Sequence, residues 1–295
     1  MELTTLRQFL AIAEARHMTR AGEALGVSQP ALSAAVKKLE AEVGTALLDR
    51  TGRGVELTEA GRLFAEHAAE AVRRADDAVR AVRELAGLER GQIRVGGGAT
   101  AAGWLLPPVV RALRERQPGL HISIREAGSG AVAGAVLDGE LDLGIVTLPV
   151  RQVGSGELMT VRVLRDELLL IVPRGHALSG RKGFRWGDIE GEAIVGFERG
   201  SAVRDVIDRA SREHGVELNV VMELRSIESI RRSVGEGIGV GFVSRHALDG
   251  EGLRCLDGRL VRELGIVRRR DRVPSPAAAA FETELVGSGE WKRTG

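Results

Sequence analysis

Near residue 90 the sequence changes period, and that break constrains the fold more than any other feature. Before it, apolar residues recur almost entirely at helical spacing; beyond Gly87 to Gly91, short apolar strands alternate with helical stretches. A chain of 295 residues is also too long for one small core, so a small module followed by a larger body is expected. With 43% hydrophobic and 28% charged residues the chain reads as an ordinary soluble globular protein. A net charge of +1 excludes wholesale polycation behaviour, so any nucleic-acid contact must come from a local patch. The single Cys255 cannot form an internal disulfide, and no run approaches the roughly 18 apolar residues of a membrane span. Nothing at the start resembles a secretory signal, so a cytoplasmic location and no membrane partner are expected.

In the first module, LTTLRQFLAIAEAR places Leu3, Leu6, Leu10 and Ala13 at helical spacing with Phe9 beside them. MTRAGEALGVSQP then supplies Thr19 as an N-cap, a short apolar helix through Ala21, Ala24 and Leu25, and Gly26 as its left-handed end. Ser28 restarts the chain as the next N-cap, with Pro30 in the first turn, where its missing N–H does no harm. Leu32, Val36 and Leu39 form the apolar face of that helix, while Gln29, Ser33 and Lys37 share another face at every fourth residue. Helix, tight turn, helix is the motif whose second helix can lie in the DNA major groove. Glutamine can bond adenine bidentately, serine reaches base or phosphate, and lysine reaches guanine or phosphate. Any surface helix also needs a polar face, so the stripe by itself leaves both readings open. The next segment, LLDRTGRGVELT, reads as a hairpin about Thr51-Gly52-Arg53-Gly54 with Arg50 and Arg53 near its tip. Guanidinium groups there can follow the backbone or enter the minor groove, which makes the module a winged helix-turn-helix.

Ala24, Leu25, the run Ser28 to Ser33, Leu39, Glu40, Gly44, Leu47, Arg50, Arg53, Leu57, Thr58, Ala60 and Gly61 stand at the spacing of one family's opening block. On these residues the chain resembles the LysR-type transcriptional regulators. The resemblance implies that Gln29, Pro30, Ser33 and Lys37 face double-stranded DNA and that Arg50 and Arg53 touch it from the wing. Thr19, Arg20, Ser28 and Ala34 complete the candidate DNA-binding set. Two positions depart from the family pattern. Ala34, often polar, can offer only an apolar contact such as one to a thymine methyl, and Gly22 stands where a second alanine is usual.

From Thr58 to Leu88 there is no proline, and Leu57, Ala60, Phe64, Ala68, Ala71, Ala75, Ala78, Val82 and Leu85 step mostly by three and four. One long helix is expected, about 45 Å at 1.5 Å per residue. Its alanine-rich stripe is more economically buried by a second copy than by its own chain, while Arg73, Arg74, Asp76, Asp77, Arg80 and Arg83 charge the other faces. A homodimer is expected, and the resemblance implies the same, with a homotetramer as the working form.

In the body, IRVGGG, LHISIREA, LDLGIV, LLLIVP, AIVGF, VVMELR and GVGFVS read as strands, with helices at 104–116, 131–138, 202–214 and 227–236 between them. That order predicts a mainly parallel sheet with helices on its faces. Gly96-Gly97-Gly98 invites a dinucleotide reading with Glu126 as the ribose-binding acid, but Gly98 to Glu126 spans 28 residues, against about 20 in that motif. No cofactor is expected. Ala99, Thr100 and Ala101, Gly128 and Ser129, and Arg199, Gly200 and Ser201 all sit where a helix begins, as does Ser226. Helix N-termini carry free N–H groups and partial positive charge, so convergent ones suit a small anionic effector; each hydroxyl alone is also explained by capping its own helix. The family's effector-binding domain, two lobes similar to periplasmic solute-binding proteins, is matched by LDLGI at Leu141, V..GIGVG at Val234 and SPAAAAF at Ser275. The proline usual after the GIGVGF strand is Ser244 here.

The expected fold class is therefore α+β overall: a mainly α winged helix-turn-helix over 1–58, a linker and dimerisation helix over 59–90, and an α/β two-lobed domain over 91–295. Lobe I is expected at about 91–161 and 266–295, and lobe II at about 162–265. An enzyme is not expected: the six histidines are scattered, no H-x-x-H, H-E-x-x-H or cysteine pair offers a metal site, and no G-x-S-x-G elbow occurs. A solute-binding protein would suit the body but leaves the N-terminal module without a use. A DNA-binding regulator with a small-molecule effector accounts for all three segments, with RNA polymerase as a further candidate partner.

Overall fold

Burial of one aromatic ring sets the first helix's rotation. The computed structural model describes residues 1–51, 54–85, 91–150, 154–248, 250, 252–288 and 291–293, in two units, Met1–Glu89 and Arg90–Gly295. The first holds α1 (Leu3–Ala15), α2 (Met18–Leu25), α3 (Gln29–Val43), β1 (Leu48–Thr51), β2 (Gly54–Leu57) and α4 (Glu59–Leu85). Phe9 of α1 meets Phe64 of α4 edge to face at 5.4 Å, so α1 buries Leu6, Phe9 and Ile12. The expected stripe through Leu3 and Leu10 is turned aside: Leu3 is 43% exposed and Leu10 half-buried.

Thr19 is not a cap. Arg16 takes a left-handed φ of 50° and closes α1, which leaves His17 as the extended cap residue of α2 and puts Thr19 inside the helix. Starting there buries Met18, and α2 faces the core with Met18, Ala21 and Gly22, while Ala24 and Leu25 are exposed. A Cβ on Gly22 would stand 2.7 Å from the Val27 carbonyl oxygen, so glycine permits the close α2–α3 turn. Ser28 caps α3 as expected, its hydroxyl accepting from Ala31 N at 3.4 Å. Leu32, Val36 and Leu39 are the buried face of α3.

Residues that carried the family resemblance hold the hairpin. Glu40 Oε1 accepts from Leu47 N at 2.8 Å and Leu48 N at 3.1 Å. The Thr58 hydroxyl donates to the Ala46 carbonyl at 2.9 Å and accepts from Gly61 N at 2.8 Å. A Cβ on Gly61 would lie 1.9 Å from the Leu47 carbonyl oxygen. Val55 N donates to the Arg16 carbonyl at 3.0 Å, fixing β2 against the α1–α2 corner. The long-helix stripe divides: Ala60, Phe64 and Ala68 pack into this core, whereas Ala71, Ala78 and Val82 are exposed, as is Val79 beside the stripe. Residues 86–88 of the expected helix lie outside the described residues.

The second unit contains β3 (Gln92–Gly97), α5 (Leu106–Arg116), β4 (His121–Glu126), α6 (Ser129–Leu137), β5 (Leu143–Leu148), β6 (Leu158–Ile171), β7 (Gly183–Phe184) and β8 (Ala193–Phe197). It continues through α7 (Ala202–Glu213), β9 (Asn219–Leu224), α8 (Ile227–Gly235), β10 (Val240–Ser244), β11 (Arg254–Cys255), β12 (Val261–Arg269), α9 (Pro276–Gly287) and β13 (Lys292–Arg293). The main sheet runs β4-β3-β5-β12-β6-β10-β8-β9. Its two ends are parallel, β4-β3-β5 and β10-β8-β9. Its middle is not: β6 and β12 run antiparallel to each other and to β10 and β5. The expected lobe crossings, Arg162 and Gly265, lie beside each other on that ladder, Arg162 facing Ile266 and Gly265 facing Val163.

Each end buries its own core. Ile93, Val95, Leu143 and Ile145 pack with Leu106, Val109 and Phe281 on one face, and Val132 and Val136 of α6 cover the other with Val267. At the far end Ile194, Val195 and Phe242 pack with Ile207, Ile230 and Trp186. The helical run after β3 starts earlier than expected, as a π turn over Ala101–Leu105 that leads into α5.

Replacing Glu40 by alanine strands the Leu47 and Leu48 N–H groups beneath the hairpin. The expected loss is roughly 1–3 kcal/mol, read as a lower urea midpoint with an unchanged m-value.

Candidate functional site

Two places collect the candidate residues, one in each unit. On α3, Gln29, Pro30, Ala34 and Lys37 are exposed and Ser33 is half-buried, while Leu32, Val36 and Leu39 on the opposite side are buried. Thr19 and Arg20 are exposed on α2 and Ser28 at the turn. Thr51 pairs with Gly54 and Arg50 with Val55, so the hairpin is present; Arg53 and the Arg50 side chain lie outside the described residues. The N-terminal end of α3 is thus capped, with a polar face presented outward and with Gln29 and Lys37 standing clear of the core. Such a face can place an amide, a hydroxyl and an ammonium against base edges and phosphates.

In the second unit a cavity of about 490 Å³ opens where parallel strands end. Gly98 to Ala101 follow β3, Glu126 to Ser129 follow β4, Phe197 to Val203 follow β8, Leu224 and Arg225 close β9, and Ile145 and Thr147 come from β5. Open α/β sheets bind ligands at such carboxyl ends, where the following helices present free N–H groups. Ala99, Thr100, Ala101, Gly128, Ser129, Arg199, Gly200 and Ser201 all line this one cavity. Ser226 does not: its hydroxyl caps α8, accepting from Ser229 N at 3.3 Å, although its neighbours Arg225 and Ile227 are in the lining.

The capping account holds for some of these hydroxyls and fails for others. Ser201 caps α7, accepting from Arg204 N at 3.4 Å and donating to the Glu198 carbonyl at 2.8 Å. Ser129 instead accepts from Thr147 N at 2.9 Å, tying α6 to β5. Thr100 accepts from Arg262 Nη2 at 2.7 Å. The first turn of α6 therefore faces the cavity without a side-chain cap, with its backbone N–H groups available to an anion. Two glycines of the triplet serve packing: a Cβ on Gly96 would stand 2.4 Å from Leu141 and one on Gly97 2.6 Å from Ala101.

Three arginines take three positions. Arg225 is 86% exposed and donates to Glu198 Oε2 at 2.6 Å, Arg199 is exposed at the lining, and Arg204 is buried beneath it. Arg204 donates to Asp208 at 2.6 Å, to the Phe197 carbonyl at 2.9 Å and to Glu223 at 3.3 Å, so it braces the β8–α7 turn. Sequence reasoning missed Arg262 and Asp166, a buried pair across β12 and β6 at 2.8 Å, with Arg262 in the lining. Nothing local marks them, since they stand 96 residues apart and meet only through strand register. Among the described residues no cluster of metal-binding side chains occurs, and no helix is long and apolar enough to cross a membrane.

The sequence matches the family described as bacterial regulatory helix-turn-helix protein, lysR family, over residues 3–62, and the LysR substrate binding domain over residues 86–288. A probable RuBisCO transcriptional regulator of Trieres chinensis is 31% identical over 96% of this chain and 96% of that protein. A full-length OxyR variant from Pseudomonas aeruginosa is 26% identical, with a TM-score of 0.71 over 97% of this chain and 94% of that one. CbnR complexed with its target DNA has the same fold at 24% identity, with a TM-score of 0.71 over 98% and 100% of the two chains.

Cys255 is buried, and burial pushes its thiol up from the ordinary value. The thiolate is the reactive form, so Cys255 is expected to resist iodoacetamide at neutral pH in the native protein and to label fully in urea, as read by mass spectrometry.

Proposed function

The chain belongs to the LysR-type transcriptional regulators, and from that premise we propose that α3 reads operator DNA while the cavity binds a small anionic effector. The protein is a regulator with a helix-turn-helix DNA-binding domain and an effector-binding domain. The observation that carries the finer reading is the outward polar face of α3, held by a capped helix whose core lies on the other side. Gln29 and Ser33 contact base edges in the major groove and Lys37 a phosphate beside it, with Pro30, Ala34, Ser28, Thr19 and Arg20 at its margins and Arg50 and Arg53 on the wing. The functional division is 1–58 for DNA, 59–90 for dimerisation and 91–295 for the effector.

The exposed apolar residues Ala71, Ala78, Val79 and Val82 on the later half of α4 support a homodimer in which a second copy covers them. Two α3 helices then read a two-fold related site, and two dimers form a tetramer that bends promoter DNA in the cytoplasm, within reach of RNA polymerase. The free helix N-termini support an anionic effector. It acts by binding one arrangement of the assembly better than another, and so shifts how the operator is held.

Selection of binding sites from random DNA tests the DNA reading. Gln29→Ala and Ser33→Ala are each expected to relax base preference by roughly 1–3 kcal/mol at one position. Lys37→Ala should weaken all sites alike and reduce the salt slope by about one. Unchanged base preference in both of the first two variants would remove α3 from the groove.

A further inference from the structure

The Arg262–Asp166 pair lies in the wall of the cavity, and its geometry fits a reader of charge. Arg262 on β12 and Asp166 on β6 are direct cross-strand partners. Asp166 is completely buried, and the Arg262 side chain is 8% exposed, as part of the cavity lining. Arg262 Nε donates to Asp166 Oδ2 at 2.8 Å and Nη2 donates to Thr100 Oγ1 at 2.7 Å. Asp166 Oδ1 accepts from the Ser244 hydroxyl at 2.6 Å. Ser244 is 1% exposed and is the last residue of β10. Its hydroxyl supplies the second donor to the carboxylate that orients Arg262.

Arg262 differs from the other cations of the cavity. Arg225 is exposed and engaged by Glu198, and Arg199 is exposed; both are screened by water. Arg262 is held in place, is largely withdrawn from water, and its Nη1 makes no hydrogen bond among the described residues. A guanidinium with one edge fixed by a buried carboxylate and the other facing a cavity presents N–H donors in a fixed fork to a planar or tetrahedral oxyanion.

We infer that Arg262 is the residue with which the cavity recognises a carboxylate or phosphate on its effector, and that Asp166 and Ser244 are its positioning residues. This rests on the reading of the cavity as the effector site. An anion also competes with Thr100 for the same guanidinium, and Thr100 opens the helical run after β3.

The test is thermal-shift and calorimetric titration of the full chain with acid and amide pairs: benzoate and benzamide, succinate and succinamide, phosphoglycolate and phosphoglycolamide, with glycolate beside the last pair. The wild type should be stabilised more strongly by at least one acid than by its amide; comparing phosphoglycolate with glycolate separates phosphate from carboxylate. The double variant Asp166→Asn with Arg262→Gln removes both charges together and leaves no buried ion unpaired. It should bind that acid about tenfold or more weakly and lose the preference for acid over amide. A merely structural role would weaken acid and amide alike. A folded double variant that keeps the preference overturns the inference and leaves the effector reading standing. Should the double variant fail to fold, Ser244→Ala decides: a reduced acid preference supports the inference and an unchanged one overturns it. A wild type that responds to no compound in the set overturns the effector reading and this inference together.

Discussion

The antiparallel ladder of β6 and β12 is the constraint on which the effector-binding unit depends. Apart from the short β13, every other strand of the main sheet belongs to one parallel end or the other, and each end closes its own hydrophobic core. Among the described residues these two strands alone pass between the ends, pairing from Leu158 with Arg269 to Glu167 with Val261. A sheet joined this way has strand ends from both halves converging on one opening, so the cavity follows from topology before any side chain is specified. The side chains then decide what it holds. Uncapped N–H groups at α6 and a buried guanidinium at Arg262 make its polar wall receptive to negative charge, while Phe197, Leu224, Ile227 and Leu264 make the rest apolar.

In the DNA-binding unit the logic we propose is the opposite, with function on a face that folding leaves free. Glu40, Gly44, Thr58 and Gly61 are consumed in holding α3 to the hairpin and the hairpin to α4. Gln29 and Lys37 hold nothing in that core. A rigid scaffold with an independent outer face lets base preference change without altering stability, which is what a family reading many operators requires. A family motif therefore mixes two kinds of residue, and the structure separates them by what each side chain touches.

Much of this was legible in the sequence. The helix-turn-helix, the hairpin and the alternation of the body rest on short-range signals, such as the Ser28 cap, Gly26 and apolar spacing, and the structure has them in place. The convergence of Thr100, Ser129 and Ser201 was legible too, because strand ends in such a sheet must face one another. Three things were not. The rotation of α1 depends on where Phe64 lies, 55 residues on from Phe9, and Thr19 lost its capping role to a left-handed Arg16 that no propensity favours. The partnership of Arg262 with Asp166 exists only in the register of two strands far apart in the chain.

The central claim is that occupancy of the cavity and the hold on DNA are coupled. The most direct measurement is the affinity of the full chain for its best stabilising anion, by calorimetry, with and without a saturating operator fragment. Linkage requires the two affinities to differ, by roughly 5- to 150-fold for a coupling of 1–3 kcal/mol. Equal affinities would contradict the account, since a ligand indifferent to the DNA-bound state cannot regulate it.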